Sequence, residues 1–204
     1  MVTLGAGSGF RLYLVIASQA RNAKDTASIR ARALIKYKMT ETKQHIDPKI
    51  AAILESVSDP EIPVLSIMQM GVVRSVKMVR NVVEVAITPT YSGCPAMDVI
   101  GDDIKKALKN AGFESKVNLV LSPAWTTDWI TPTGRKALEK YGIAAPLEAA
   151  ADKEALLGNK KLVKCPQCGS FNTKMVSQFG STACKAFFQC EDCLEPFDYF
   201  KCLK

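Results

Sequence analysis

A chain of 204 residues with 48% hydrophobic and 23% charged residues has enough apolar mass to bury a core and too much for wholesale disorder. No apolar run reaches the roughly 18 to 20 residues of a membrane span, so a soluble protein of one medium domain with small attachments is expected. The formal net charge of +7 sits in the N-terminal tail, where residues 1–38 hold seven Lys and Arg against Asp25, while the rest carries 20 basic against 19 acidic residues. A near-neutral body has no general pull on phosphate backbones, which argues against nucleic acid as a partner.

Residues 1–46 are read as a leader, either unstructured or preceding a later start at Met39. Its Arg-rich, acid-poor composition also suits a transit peptide, but the positive n-region of a secretory signal is missing. The stretch Gly5-Ala6-Gly7-Ser8-Gly9-Phe10 lacks the third glycine and the preceding strand of a dinucleotide loop.

From Asp47 the pattern becomes regular. Asp47-Pro48 reads as an N-cap with proline at the first helical position, and Ile50, Ile53, Leu54 and Val57 form one helical face. Asp59-Pro60-Glu61-Ile62-Pro63 ends it, because two prolines forbid continuation. Val72 to Val79 and Val82 to Thr88 are β-rich runs joined by Arg80-Asn81, which predicts a hairpin. Pro95 to Asn110 predicts a helix with Ile100, Ile104, Ala107 and Leu108 on one face, closed by Gly112. A strand is expected over Val117 to Leu121, then a helix capped by Thr131 with Pro132 at its start. The expected order is αββαβα over residues 47–145, a small α/β domain, followed by a linker over 146–162.

Six of the seven cysteines lie in the last 40 residues. Cys165-Pro166-Gln167-Cys168 and Cys190-Glu191-Asp192-Cys193 are two CxxC turns, a spacing that aims two sulfurs at one tetrahedral centre. Strand-like runs at Thr173 to Ser177, Lys185 to Gln189 and Phe197 to Lys201 complete the layout of a β zinc ribbon over 163–204. So small a module buries too little surface to fold unaided, so a structural metal is expected, with zinc favoured and iron compatible with the same four thiolates. Cys184 and Cys202 stand outside the pairs, either as buried thiols or as members of a second, labile site. The ribbon holds five lysines against four acids, without the charge of a nucleic-acid reader. The odd cysteine count and paired CxxC turns point to a reducing, cytoplasmic setting.

Cys94 lies in Tyr91-Ser92-Gly93-Cys94-Pro95, after a strand and before a helix, where exposed N–H groups and the helix dipole are expected to lower its pKa. The single histidine, His45, lies outside the patterned domain, which argues against a Cys–His dyad. Asp59 and Glu61 suit a metal or a partner's basic group, though caps and turns more often explain acids beside prolines. Asp102 and Asp103 suit the first turns of the second helix, and Trp125 and Trp129 suit packing or, where exposed, a protein interface.

Asp59-Pro60-Glu61-Ile62-Pro63, the Tyr91-to-Pro95 turn and the αββαβα order resemble the iron–sulfur-assembly domain of SufT-type proteins and eukaryotic cytosolic iron–sulfur targeting factors. Ser122-Pro123-Ala124-Trp125-Thr126-Thr127-Asp128-Trp129-Ile130, Phe179-Gly180-Ser181-Thr182-Ala183-Cys184-Lys185 and Glu195-Pro196-Phe197-Asp198-Tyr199-Phe200-Lys201-Cys202 are similar to the D (or J) subunits of bacterial phenylacetyl-CoA epoxidase systems. The similarity covers roughly residues 47–204 and leaves the leader without a counterpart. It implies a non-catalytic accessory subunit in aerobic phenylacetate degradation, with oxygenase and reductase subunits as partners. It also implies a part in maturing their iron or iron–sulfur centres, with Cys94, Asp59 and Glu61 handling iron or a cluster in transit. An accessory electron-transfer subunit and a nucleic-acid-binding ribbon are the rival readings. No flavin loop and no Glu-x-x-His pair is present, so the chain is not by itself the reductase or the oxygenase.

Overall fold

The computed structural model describes residues 46–147, 156 and 162–201. The expected leader (apart from Ile46), most of the expected linker and Cys202 lie outside these residues. Helix α1, Pro48–Glu55, starts where the Asp47 carboxylate accepts the Lys49 N–H at 2.8 Å and buries Ile50 and Leu54. The following segment is irregular yet packed, with Ile62, Leu65 and Ile67 fully buried. Its backbone is satisfied locally, for example by Leu65 N–H to Ile62 O at 2.9 Å and Asp59 N–H to Leu65 O at 2.9 Å.

Strands β1, Val73–Val79, and β2, Val82–Ile87, form an antiparallel hairpin. Its two-residue turn places Arg80 and Asn81 at φ +46° and +68°, the paired left-handed geometry that matches strand twist. Val83, Val85 and Ile87 alternate inward from β2. Helix α2, Ala96–Asn110, buries Met97, Ile100, Ile104 and Leu108 and stops before Gly112 at φ +84°. It crosses over to β3, Glu114–Leu119, which pairs parallel with β2 to complete the sheet order β1-β2-β3. This strand begins three residues earlier than expected, because Val82 to Glu84 pair with Glu114 to Lys116, whose polar side chains show no apolar run.

A 3₁₀ turn, Thr127–Trp129, precedes helix α3, Pro132–Tyr141. The Thr131 hydroxyl caps α3 by accepting the Gly134 N–H at 3.0 Å, and Gly142 ends it at φ +93°. Strand β4, Ile143–Ala144, then joins a second sheet instead of the first. It pairs parallel with β7, Pro196–Phe200, in the order β4-β7-β6-β5, with β5 spanning Thr173–Ser177 and β6 Lys185–Cys190. The αββαβα order and the C-terminal β ribbon expected from the sequence are both present.

The two sheets share packing. One apolar cluster runs from α1, α2 and the first sheet to Ile143, Cys184 and Phe200. The buried Trp125 ring meets Phe200 edge-on at 5.9 Å and 74°, while its indole N–H donates to Met70 O at 3.1 Å. A second cluster lies inside the ribbon and includes Phe188, Phe197 and Tyr199. None of the described helices is long and apolar enough to cross a membrane.

Candidate functional site

The ribbon brings its four predicted ligands together. Cys165 and Cys193 sulfurs lie 3.8 Å apart, Cys168 and Cys190 sulfurs 3.5 Å apart, and all four lie within 4.8 Å of one another. Bonds of about 2.3 Å to a tetrahedral zinc place the sulfurs about 3.8 Å apart, so the quartet fits that ion with little adjustment. Each turn is built by local hydrogen bonds: Gly169 N–H to Cys165 O at 3.0 Å, with Gly169 at φ +78°, and Cys190 N–H to Glu195 O at 3.0 Å. Asp192 joins the two turns by accepting from Ser170 and Asn172. The Cys193 backbone N–H leads the effects that hold the Cys190 thiol down to about 7, whereas Cys193 is pushed up to about 12, the Glu195 N–H that lowers it being outweighed by desolvation and the neighbouring thiols, so charge is unevenly shared across the quartet.

A second group of reactive side chains gathers where the two sheets meet. The Asp59 carboxylate is buried and accepts the N–H groups of Glu61 and Ile62, each at 2.8 Å. Burial pushes its pKa up, against the opposing pull of those two hydrogen bonds. The turn this builds aims Glu61 at the ribbon. There the Cys184 thiol faces the Glu61 carboxylate at 3.7 Å, and the Lys185 ammonium donates to the Glu61 main-chain carbonyl at 3.3 Å. Lys185 also donates to Ser181 Oγ at 3.1 Å and lies 3.9 Å from the Asp198 carboxylate.

Cys94 stands half-buried on the β2–α2 turn, its N–H donating to Tyr91 O at 3.1 Å. Its expected low pKa is corrected by the structure. Burial raises the thiol, and the charges of Glu61 and Asp59 raise it further, outweighing the Ala96 N–H that lowers it. Pro95 caps the helix instead of opening it, and the carboxylates that oppose the dipole come from a segment over 30 residues away. Tyr91 is pushed up to about 12 by burial first, then by Cys94, Glu61 and Cys184. Cys184, buried against Thr182 Oγ1 at 3.0 Å, is likewise pushed up to about 12, mainly by burial.

Sequence reasoning placed Cys94, Asp59 and Glu61 together but left Cys184 open and missed Lys185. A cysteine and a lysine at the start of a strand carry no local signal, since their partner Glu61 lies 123 and 124 residues away. Asp102 and Asp103 are exposed on α2, where Asp102 pairs with Lys105 at 2.9 Å. Trp129 is partly buried beneath Arg74, whose guanidinium lies 3.6 Å from the ring centroid.

Residues 48–120 match the family described as iron–sulfur cluster assembly protein, and residues 149–201 match the PaaD zinc beta ribbon domain. A protein of Escherichia coli (strain K12), provisionally named as the D-type subunit of 1,2-phenylacetyl-CoA epoxidase, is 47% identical over 76% of this chain and 92% of its own length. The Fe-S protein maturation auxiliary factor YitW of Bacillus subtilis (strain 168) is 32% identical over 47% of this chain and 96% of its own. A crystal structure of a DUF59 domain from Bacillus anthracis aligns with a TM-score of 0.43 at 30% identity, over 48% of this chain and 96% of that one. An assembly-type domain followed by a PaaD-type zinc ribbon, matched almost end to end by the E. coli relative, establishes that this chain belongs to the PaaD family of phenylacetyl-CoA epoxidase subunits.

Proposed function

We propose that this protein is a non-catalytic accessory subunit of a phenylacetyl-CoA epoxidase and that it matures the iron or iron–sulfur centres of its oxygenase or reductase partners in the cytoplasm. Cys94 receives the cargo, and Glu61 and Asp59 supply hard oxygen donors and negative charge beside it. The Cys165, Cys168, Cys190 and Cys193 quartet holds zinc, which fixes the ribbon as a docking element. The observation that carries this reading is a half-buried Cys94 thiol near enough to the Glu61 and Asp59 carboxylates to feel their charge, with no histidine among the described residues to make it a hydrolytic nucleophile. Similarity to the E. coli epoxidase protein and to the Fe-S maturation factor supports the setting.

The deciding experiment replaces Cys94 with Ala and measures metal bound by the partner subunits produced alongside it. Reduced loading is expected, and full loading removes Cys94 from the function. A thiolate quartet also suits iron and hence electron transfer. Metal analysis separates the two: one zinc per colourless chain supports maturation, whereas a reducible chromophore in the quartet supports electron transfer.

A further inference from the structure

We propose that Cys184 is the second thiol of the cargo site, so that a divalent metal in transit is held between Cys94 of the assembly domain and Cys184 of the ribbon with Glu61 as the carboxylate ligand. This rests on the reading of Cys94 as the cargo residue, and it gives the ribbon a direct part in metal handling beyond its own quartet.

Three observations carry it. The Cys184 thiol faces the Glu61 carboxylate at 3.7 Å, although the strand it directly precedes, β6, belongs to the other sheet. Tyr91 hydrogen-bonds with Cys94 and feels the charges of Cys94, Glu61 and Cys184, so both thiols and the carboxylate surround one side chain. Glu61 is anchored there from the ribbon side by Lys185, which takes its main-chain carbonyl and leaves the carboxylate for the thiols. Two thiolates and one carboxylate form a mixed donor set that suits Fe²⁺, and they leave a coordination position for a receiving protein.

The set is looser than the ribbon quartet, which is the one group of three or more such donors among the described residues whose atoms all lie within 4.8 Å of one another. Looseness is what a cargo site needs. A closed four-thiolate centre retains its ion, whereas an open three-ligand group exchanges it. Cys94 is half-buried beside exposed Ser92 and Gly93 while Cys184 is buried, so the metal enters and leaves on the Cys94 side. Binding exchanges the two thiol protons for one M²⁺. The protons pass to solvent, the carboxylate binds as it stands, and the metal keeps its oxidation state.

The test uses the full chain with its quartet filled by one equivalent of zinc and Co²⁺ as the probe. The wild type is expected to take up one further Co²⁺ with a sulfur-to-cobalt charge-transfer band. Cys184→Ser is expected to halve that band and weaken Co²⁺ binding at least tenfold, and Cys94→Ser to do the same. An unchanged band and affinity in Cys184→Ser, with loss in Cys94→Ser, overturns this inference and leaves the Cys94 reading standing. Indifference to Cys94→Ser, or no second metal at all, overturns both.

Should Cys184→Ser fail to retain zinc, the decision passes to a protein with its native Cys184. In a Cys202→Ala chain the only thiols outside the quartet are Cys94 and Cys184. X-ray absorption at the cobalt edge is then expected to count two sulfur ligands, with zinc-edge data verifying that the quartet keeps its ion. A count of one or none overturns the inference.

Discussion

The Lys185 ammonium and the Glu61 carbonyl, 124 positions apart in the chain, meet at 3.3 Å in the junction between the two sheets. The lysine is buried and also serves Ser181, so it ties the ribbon to the loop that presents the acidic residues. Lys185→Met keeps the apolar stem and removes all three donors, leaving polar partners desolvated. The zinc-loaded variant is expected to lose about 1–3 kcal/mol in urea unfolding. An unaltered midpoint and slope removes this contact as a tie between the sheets.

Metal removal tests the ribbon with a built-in reporter. Trp125 lies edge-on against Phe200 of β7, so loss of the ribbon's packing exposes its indole. A structural zinc contributes on the order of 10 kcal/mol to so small a module. Exhaustive chelation is therefore expected to shift tryptophan emission to the red and to remove strand signal from the far-ultraviolet spectrum. Zinc should restore both. A metal-free chain that keeps both signals refutes metal-dependent folding of the ribbon.

Gly71 is required by its surroundings as well as by its backbone. At φ +73°, an added Cβ would lie 2.3 Å from the Trp129 carbonyl oxygen, a clash with main chain that no rotamer relieves. Gly71→Ala is expected to cost at least about 2 kcal/mol, read as a lower denaturation midpoint. A fully stable variant shows that the loop re-forms without strain.

Alkaline stability should report the Cys184 proton. Its folded pKa, about 12, lies above the ordinary thiol value of 9.0, so the protonated form is favoured by folding. That contribution is complete below about pH 9 and is lost as pH rises from 9 toward 12, where the unfolded chain ionises and the folded chain does not. Cys184→Ala should flatten the stability profile there by up to about 1.4 kcal/mol per pH unit, whatever its offset at neutral pH. Parallel profiles for the two proteins rule out a retained proton.

Much of the fold is legible in the sequence because its signals are local. The Asp47-Pro48 and Thr131-Pro132 starts, the Arg80-Asn81 turn and the Gly112 and Gly142 stops each act within a few residues. The two CxxC turns likewise announce a four-thiolate centre, since each fixes two sulfurs by its own hydrogen bonds. The two-residue strand β4 is invisible in the same way that β3 is blurred, since neither has an apolar alternation to read.

Sequence alone therefore determined the αββαβα order and the four cysteines of the quartet through spacing and residue type, and it singled out Cys94, Asp59 and Glu61 as candidates. Tertiary structure decided that Cys184 and Lys185 close on Glu61, and that Cys94 keeps its proton where a helix start suggested thiolate. The reason is physical: desolvation and Coulomb energy depend on which charges share a buried space, and those charges come from segments far apart in the chain.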